Sequence, residues 1–307
     1  MFTKFTGLII PTRNRPKNLF LTLKFFSVNK IKFFKIIVID SSDTELKKCI
    51  IDICNQFNVD LHFSKASTSR QRNLGLKKLN KHKVEFIMFL DDDLRFYKNS
   101  FKIMNSNIRK YKKKYVGFCF NNTHLNKKKT LFEQVKTSSF IEKLGLYSAK
   151  NGVVLDNGWQ TKIENIKNNL ESQWLPTSSS IFKKSAISRK YFDSSFGVYS
   201  YLEDLDFSLQ INPKRKNCFF IASNAKFIHL KDIVRTSFVF GYYEFINRYK
   251  IVNKFHLRKK LFIIMAICKT ILTVFSVINN YKNVFKLLGN IAALASLPKY
   301  WLLNFKK

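Results

Sequence analysis

The sequence predicts an α/β protein built on an open, mostly parallel central sheet flanked by helices, followed by a helical C-terminal region. Three observations carry this. Apolar strand-like runs and helical segments alternate through the first part of the chain with a period of about 25 residues, the rhythm of crossover units. Three strand ends carry chemistry rather than ordinary turn residues: Pro11-Thr12-Arg13, Asp40 and the triplet Asp91-Asp92-Asp93. Beyond residue 233 the pattern changes to long apolar stretches edged with lysine and arginine.

Residues 6–11 read as a short buried strand that Pro11 stops. Asn14-Arg15-Pro16 opens a helix, with the proline in the first turn where its missing N–H costs nothing. Leu19, Leu23 and Phe26 give that helix an apolar stripe. Residues 34–39 form a second buried strand, 44–55 a helix, 59–63 a weaker strand and 69–79 another helix. Residues 84–90 and 115–120 are the fourth and fifth strands. Residues 121–176 are polar, rich in Asn and Lys and irregular, the signature of a functional loop or a mobile insert. Order returns from Trp174 to Phe182, through the small run Thr177-Ser178-Ser179-Ser180. Residues 201–211 read as a helix with acids at its start. Residues 218–222 and 225–230 read as two short strands, the second ending at His229.

A chain of 307 residues suffices for one large domain plus an appendage, or for two domains, and 46% apolar residues support a packed core. The formal net charge of +35 implies attraction to polyanions, although abundant Lys, Asn, Ile and Phe also fit a compositional bias that leaves most lysines on a solvated surface. The cysteines, Cys49, Cys54, Cys119, Cys218 and Cys268, are odd in number and form no Cys-x-x-Cys pair. A disulfide framework and a zinc site are therefore not expected, and a reducing compartment fits. The segment Met1-Phe2-Thr3-Lys4-Phe5 lacks the apolar stretch of a secretion signal, so the body of the protein is expected to stay in the cytosol.

In open α/β sheets ligands bind at the carboxyl ends of the strands. Three adjacent carboxylates at such an end repel one another and require a cation. Hard oxygen ligands suit Mg²⁺ or Mn²⁺ holding a diphosphate.

Six segments assemble in order: Ile10-Pro11-Thr12-Arg13-Asn14-Arg15, Val38-Ile39-Asp40-Ser41-Ser42, Arg70-Gln71-Arg72-Asn73-Leu74-Gly75, Phe89-Leu90-Asp91-Asp92-Asp93, Glu203-Asp204-Leu205-Asp206-Phe207 and His229. Across residues 6–230 the chain resembles the family 2 glycosyltransferases, which have the GT-A fold. The resemblance implies that Asp91 and Asp93 are the Asp-x-Asp pair that reaches the metal and the donor ribose, with Asp92 at the donor site or turned away to cap the next helix. It implies that His229 is a third metal ligand or a phosphate contact, the alternative being a structural histidine like His62, His82, His124 and His256. Asp40 would contact the nucleoside, with Pro11, Thr12 and Arg13 on the same side, unless it only caps the helix begun at Ser42-Asp43. Arg72 and Arg70 would clamp the diphosphate, and Gly75 would let their helix pack close. Asp204 would be the catalytic base of an inverting transfer. Glu203 would assist it or orient a nearby cation, and Asp206 would face elsewhere. Phe196-Gly197-Val198-Tyr199 would be the turn leading in. Ser179 would lie beside the donor sugar, and Trp174 would stack on an acceptor ring or pack in the core.

The expected organisation is a catalytic domain over 1–232, with a nucleotide-sugar-binding half at 1–120 and an acceptor and catalytic half at 121–232. A helical, apolar and basic region at 233–307 would associate with a membrane. Residues 261–278 are long enough to cross, but Lys269 in the middle costs roughly 2.5–3.5 kcal/mol on insertion scales. Residues 284–303 are a second apolar stretch, broken by Gly289 and Pro298. Lys254, Arg258, Lys259 and Lys260 precede this pair, and Lys299, Lys306 and Lys307 accompany its end. Helices lying in an anionic interface explain that pattern best, with a spanning hairpin and a soluble helix pair as alternatives.

The function expected is an inverting, metal-dependent glycosyltransferase. It would move a sugar from a nucleotide-sugar donor to a glycan or polyprenyl-linked acceptor, in bacterial surface-polysaccharide synthesis. It would work at the cytoplasmic face of the inner membrane, bound to an anionic membrane surface and not to nucleic acid. A nucleotidyltransferase on a similar sheet would need a glycine-rich first loop, and Pro11-Thr12-Arg13-Asn14-Arg15-Pro16 has no glycine. A non-enzymatic polyanion binder accounts for the charge but not for Asp91-Asp92-Asp93 and Glu203-Asp204, which would repel phosphates.

Overall fold

The computed structural model describes residues 1–123, 139–197, 200–230 and 235–303. Much of the polar insert (124–138), His124, Val198, Tyr199, Lys306 and Lys307 lie outside the described residues, as does the side chain of Lys299. In chain order the elements are β1 (Thr6–Thr12), α1 (Pro16–Val28), β2 (Lys35–Asp40), α2 (Thr44–Gln56), β3 (Asp60–Phe63), α3 (Thr68–Leu79), β4 (Phe86–Leu90), β5 (Leu94–Phe96), α4 (Ser100–Tyr111) and β6 (Gly117–Asn122). There follow α5 (Ser139–Lys143), β7 (Leu170–Ser172), β8 (Ser179–Lys183), α6 (Lys184–Ile187), α7 (Glu203–Ile211), β9 (Phe219–His229), α8 (Phe238–Lys254), α9 (Lys259–Asn279) and α10 (Asn283–Leu303). The chain divides into two compact units, one of residues 1–126 with 162–231, the other of 127–161 with 232–307.

The first unit holds a nine-stranded sheet in the order β3-β2-β1-β4-β8-β6-β9-β5, with β7 on β9. Its first four strands are parallel, as the alternation of strands and helices predicts. β1 pairs with β2 from Gly7↔Lys35 to Thr12↔Asp40, and with β4 from Thr6↔Phe86 to Ile9↔Phe89. This register sets Thr12 and Asp40 side by side and brings the loop after β1 next to the loop after β4. β8 then enters antiparallel against both β4 and β6. The core beneath is aromatic: Phe96 lies 4.9 Å from both Phe101 and Phe120, and Phe26 packs edge-on to Phe33 and Phe101.

Three features depart from the sequence reading. β9 is one strand of 11 residues, not two. A bulge produces the apparent break: Phe120 pairs with Ala222 but Asn121 with Lys226, and Asn121 Nδ2 donates to Ser223 O at 2.8 Å. Next, α4 and the short antiparallel strands β5 and β7 add to the predicted set. Phe101, Met104 and Ile108 give α4 its buried stripe, whereas β7 is three residues inside a polar insert. Lastly, α10 runs unbroken through Gly289 and Pro298.

The second unit is helical. Leu146, Tyr147 and Trp159 pack with Phe245, Tyr249, Phe262 and Met265 in one buried cluster. The expected acceptor half, 121–232, is thus divided: residues 127–161 fall in this unit, where Leu146, Tyr147 and Trp159 join the apolar side chains of α8 and α9. Trp159 stacks on Phe262 at 5.5 Å, and the Arg248 guanidinium lies 4.4 Å above the Trp159 ring while donating to Gly158 O and Gln160 Oε1.

Candidate active site

β4 delivers the acid triplet. Asp91 N donates to Ser178 O at 2.9 Å, which fixes the start of the turn. β5 then pairs with β9 so that Leu94 faces His229, and Leu230 N donates to Asp93 O at 3.0 Å. The end of β9 is thereby clamped to the acidic turn, and His229 Nε2 stands 3.3 Å from Asp93 Oδ1. Asp91, Asp93 and His229 each offer one ligand atom, all within 4.8 Å of one another. Asp93 is 3% exposed, and among the described residues its Oδ1 has no hydrogen-bond partner. A buried carboxylate oxygen without a donor is costly unless a cation meets it. Two carboxylates and an imidazole fit Mg²⁺ or Mn²⁺.

Asp92 faces inward. Thr12 Oγ1 donates to its Oδ2 at 2.6 Å and Arg15 Nη1 to its Oδ1 at 3.2 Å, while its carbonyl accepts from the Thr22 hydroxyl at 2.9 Å. It is therefore a brace for the loop after β1, not an open donor contact, and the segment after it is a strand, not a helix for it to cap. Burial pushes its carboxyl up to about 6, opposed by Thr12 and Arg15. Arg15 also donates to Asp93 Oδ2 at 2.8 Å. The sequence pattern by itself gives Arg15 no role. The signal was present: it follows the strand that pairs in parallel with the strand bearing the acids.

α3 brings the second cation. Arg72 is buried, donates through Nη2 to Asp91 Oδ1 at 2.8 Å and through Nη1 to Glu203 Oε1. Ser69, three residues earlier on the same face, donates to Glu203 Oε2 at 2.5 Å. Between them Gln71 Nε2 donates to Thr12 O and Ile39 O, each at 2.8 Å, and so ties α3 to the ends of β1 and β2. That tie was not anticipated. Gly75 lets α3 lie on the sheet, since a Cβ there would stand 2.6 Å from the Ile9 side chain.

Glu203 and Asp204 open α7. Ser200 and Leu202 before them have positive φ angles of 46° and 71°, a left-handed turn that costs on the order of 1–3 kcal/mol per residue. The Ser200 hydroxyl, 3.2 Å from the Ser69 hydroxyl, anchors this turn to α3. Burial pushes the Glu203 carboxyl up to about 7, against the opposing pull of Arg72 and Ser69. The cation that Glu203 orients is thus Arg72. Asp204 is half-buried, accepts from Leu205 N at 2.8 Å, and adds its charge to the field on Arg72. Asp206 is buried and accepts from Gln210 at 2.6 Å.

The remaining expected site residues lie differently. Asp40 is fully buried, its Oδ1 accepting from Ser42 N at 3.1 Å and the Ser42 hydroxyl at 2.5 Å; its Oδ2 has no hydrogen-bond partner among the described residues. It does not cap α2, whose N-cap is Asp43. Pro11 is buried within β1, and the exposed Arg13 is 3.9 Å from Asp43. Arg70 is exposed on α3, whereas Gln71 and Arg72 are buried. Ser179 is not open to a sugar. It is fully buried as the first residue of β8, paired with Leu90 and 3.5 Å from Cys119 Sγ. Trp174 is 7% exposed, which leaves no free ring face for an acceptor to stack on.

The crystal structure of S. aureus TarS 1–349 matches with a TM-score of 0.50 at 16% identity, over 90% of this chain and 74% of that one. The crystal structure of GalNAc-T7 with UDP, GalNAc and Mn²⁺ matches with a TM-score of 0.52 at 13% identity, over 82% of this chain and 48% of that one. At these identities the likeness is one of fold, here GT-A. No curated protein matches the sequence. The family model for glycosyl transferase family 2 matches residues 8–192, more than half of the chain and the stretch that holds most of β1, the acid triplet and Arg72. The chain belongs to glycosyl transferase family 2 and is a glycosyltransferase.

Proposed function

We propose that the enzyme moves a sugar from a nucleotide sugar to a glycan or polyprenyl-linked acceptor with inversion at the anomeric carbon. The setting we propose is bacterial surface-polysaccharide synthesis at the cytoplasmic face of the inner membrane. The observation that carries the reading is one cluster in which Asp91, Asp93 and His229 offer ligand atoms within 4.8 Å, and a buried Arg72 joins Asp91 to Glu203, the neighbour of Asp204. The shared fold with a structure described as holding UDP, GalNAc and Mn²⁺ supports it.

In this reading Asp91, Asp93 and His229 hold a divalent cation, Mg²⁺ or Mn²⁺. Such a cation, when bound, stabilises the charge that grows on a departing diphosphate. Arg72 keeps Asp91 oriented and Arg15 keeps Asp93 oriented, so the carboxylates do not have to be arranged during the reaction. Asp204 accepts the proton of the acceptor hydroxyl as that oxygen attacks the anomeric carbon. Inversion needs a single displacement, so one base suffices and no carboxylate nucleophile is required. Glu203, turned inward on Arg72, is a positioning residue.

The test is Asp204→Asn assayed with a panel of nucleotide sugars and Mn²⁺. Transfer and donor hydrolysis are expected to vanish while metal-dependent donor binding persists. Retained turnover would refute the assignment of Asp204, and donor binding indifferent to Mg²⁺ and Mn²⁺ would refute the metal reading.

A further inference from the structure

The second unit has its polar and apolar residues the wrong way round for a water-soluble helical bundle. On α9 the exposed apolar side chains are Ile263, Ile264, Ile267, Ile271, Val274, Phe275 and Ile278. At 100° per residue they fall within an arc of about 120°. The stripe runs about 22 Å along the helix. On α10, Val284, Phe285, Leu288 and Ile291 form a second exposed apolar arc. Lys269, Thr273, Lys286 and Asn290, within the two helices, point the other way. Lys269 of α9 pairs with Glu244 of α8, and Lys286 of α10 lies 3.7 Å from the same carboxylate. Thr273 and Asn290 are buried and bond to each other at 3.3 Å. Because both inner faces converge on Glu244, both apolar arcs face away from α8.

The same arrangement removes the objection that Lys269 raised against a lipid environment. Its ammonium meets a protein carboxylate, so it would not be an unpaired charge among acyl chains. The helices also meet in the manner favoured where lipid leaves little hydrophobic drive between them, through small residues and close backbones. A Cβ on Gly241 would lie 2.2 Å from Lys286 O, and one on Gly289 would lie 2.2 Å from Phe238 O.

Charge identifies the occupant. Lys254, Arg258, Lys259 and Lys260 are all exposed at the end of the hairpin where α9 begins, and Lys282 is exposed in the turn between α9 and α10. Glu244, the one acid in residues 235–303, is buried. A basic border around an apolar face suits anionic headgroups over acyl chains. Arg258, just before α9, is tied to polar chain, its N donating to Asp156 O at 2.8 Å and its Nε 3.4 Å from Asp156 Oδ2. With Arg258, Lys259 and Lys260 exposed there, this end suits the headgroup level of a helix lying along a surface.

We infer that the outer face of α9 and α10 docks on an anionic lipid bilayer, with both helices in the plane of one leaflet. The isoleucine stripe lies among the acyl chains and the basic residues at the headgroups. This inference supplies the surface that the proposed location needs, and it stands on observations in the second unit alone.

The test is flotation of the full chain with phosphatidylglycerol–phosphatidylcholine vesicles and with phosphatidylcholine alone. The protein is expected to float with the anionic vesicles, to stay bound after a high-salt wash, and to bind phosphatidylcholine more weakly. I267D/I271D should lower the partition coefficient about 100-fold, while I267L/I271L should keep it. In brominated-lipid quenching, the added fluorescence of Ile271→Trp should be quenched most by bromines near the headgroup end of the chains. Four results would overturn the inference: a wild-type protein left in the soluble fraction, Asp variants that float like wild type, deepest quenching at the bilayer centre, or a dimer in vesicle-free buffer that I267D/I271D dissolves. Metal-dependent donor binding by the same variants is the folding control. Its loss in wild type would fault the sugar-transfer reading and leave the vesicle result standing.

Discussion

Glu203→Gln isolates the buried carboxylate at the centre of the site. The residue is 6% exposed, and burial pushes its carboxyl from the ordinary 4.5 up to about 7. A rise of about 2.5 pH units, at 1.36 kcal/mol per unit, is roughly 3 kcal/mol against the ionised form in the folded protein. The folded state therefore binds more protons than the unfolded state between the two values. The stability linked to this group is fully present below about 4.5 and lost as pH rises through about 7. Glutamine keeps the shape and an oxygen for Arg72 but does not titrate. Urea unfolding of both proteins from pH 5 to pH 8 should show wild type losing on the order of 3 kcal/mol relative to Glu203→Gln over that window. A stability difference that stays flat across it would mean that the Glu203 carboxyl is not raised in the folded protein, and the account of burial outweighing Arg72 would fail.

Two further expectations concern the metal ligands and the helical unit. Asp93→Asn removes the charge that faces both His229 and Arg15, and Mn²⁺ affinity, followed by calorimetry with UDP present, should fall on the order of 100-fold; unchanged affinity would exclude Asp93 as a ligand. Gly241→Ala forces a methyl against the Lys286 carbonyl, and a loss of about 2 kcal/mol or more in thermal unfolding is expected, with a smaller effect contradicting the close crossing of α8 and α10.

Much of the fold was legible because it is periodic. The strands that end at Thr12, Asp40 and Leu90 alternate with helices whose apolar spacing is plain, and their parallel order puts those ends on one edge. The short antiparallel strands were not legible. β7 has three residues in a polar insert, and the bulge at Asn121 makes β9 look like two pieces. Within the site, residue type showed that Asp91-Asp92-Asp93 needed a cation. It did not show that Asp92 turns inward to Thr12, or that Arg15 and Gln71 complete the bracing, because those facts depend on which loops are spatial neighbours. Ser179 and Trp174 were misplaced for a related reason. A small or aromatic residue near a site in sequence does not reveal whether its side chain opens to the site or is buried, as both of these are.

The length of β9 has a mechanical consequence. His229 rides on the tip of an 11-residue strand rooted beside the phenylalanines of the core, so its imidazole is held by a stiff lever and not by a pliant loop. The position of that imidazole beside the acidic turn is thus written into the sheet's register, through the Leu94 and His229 pairing.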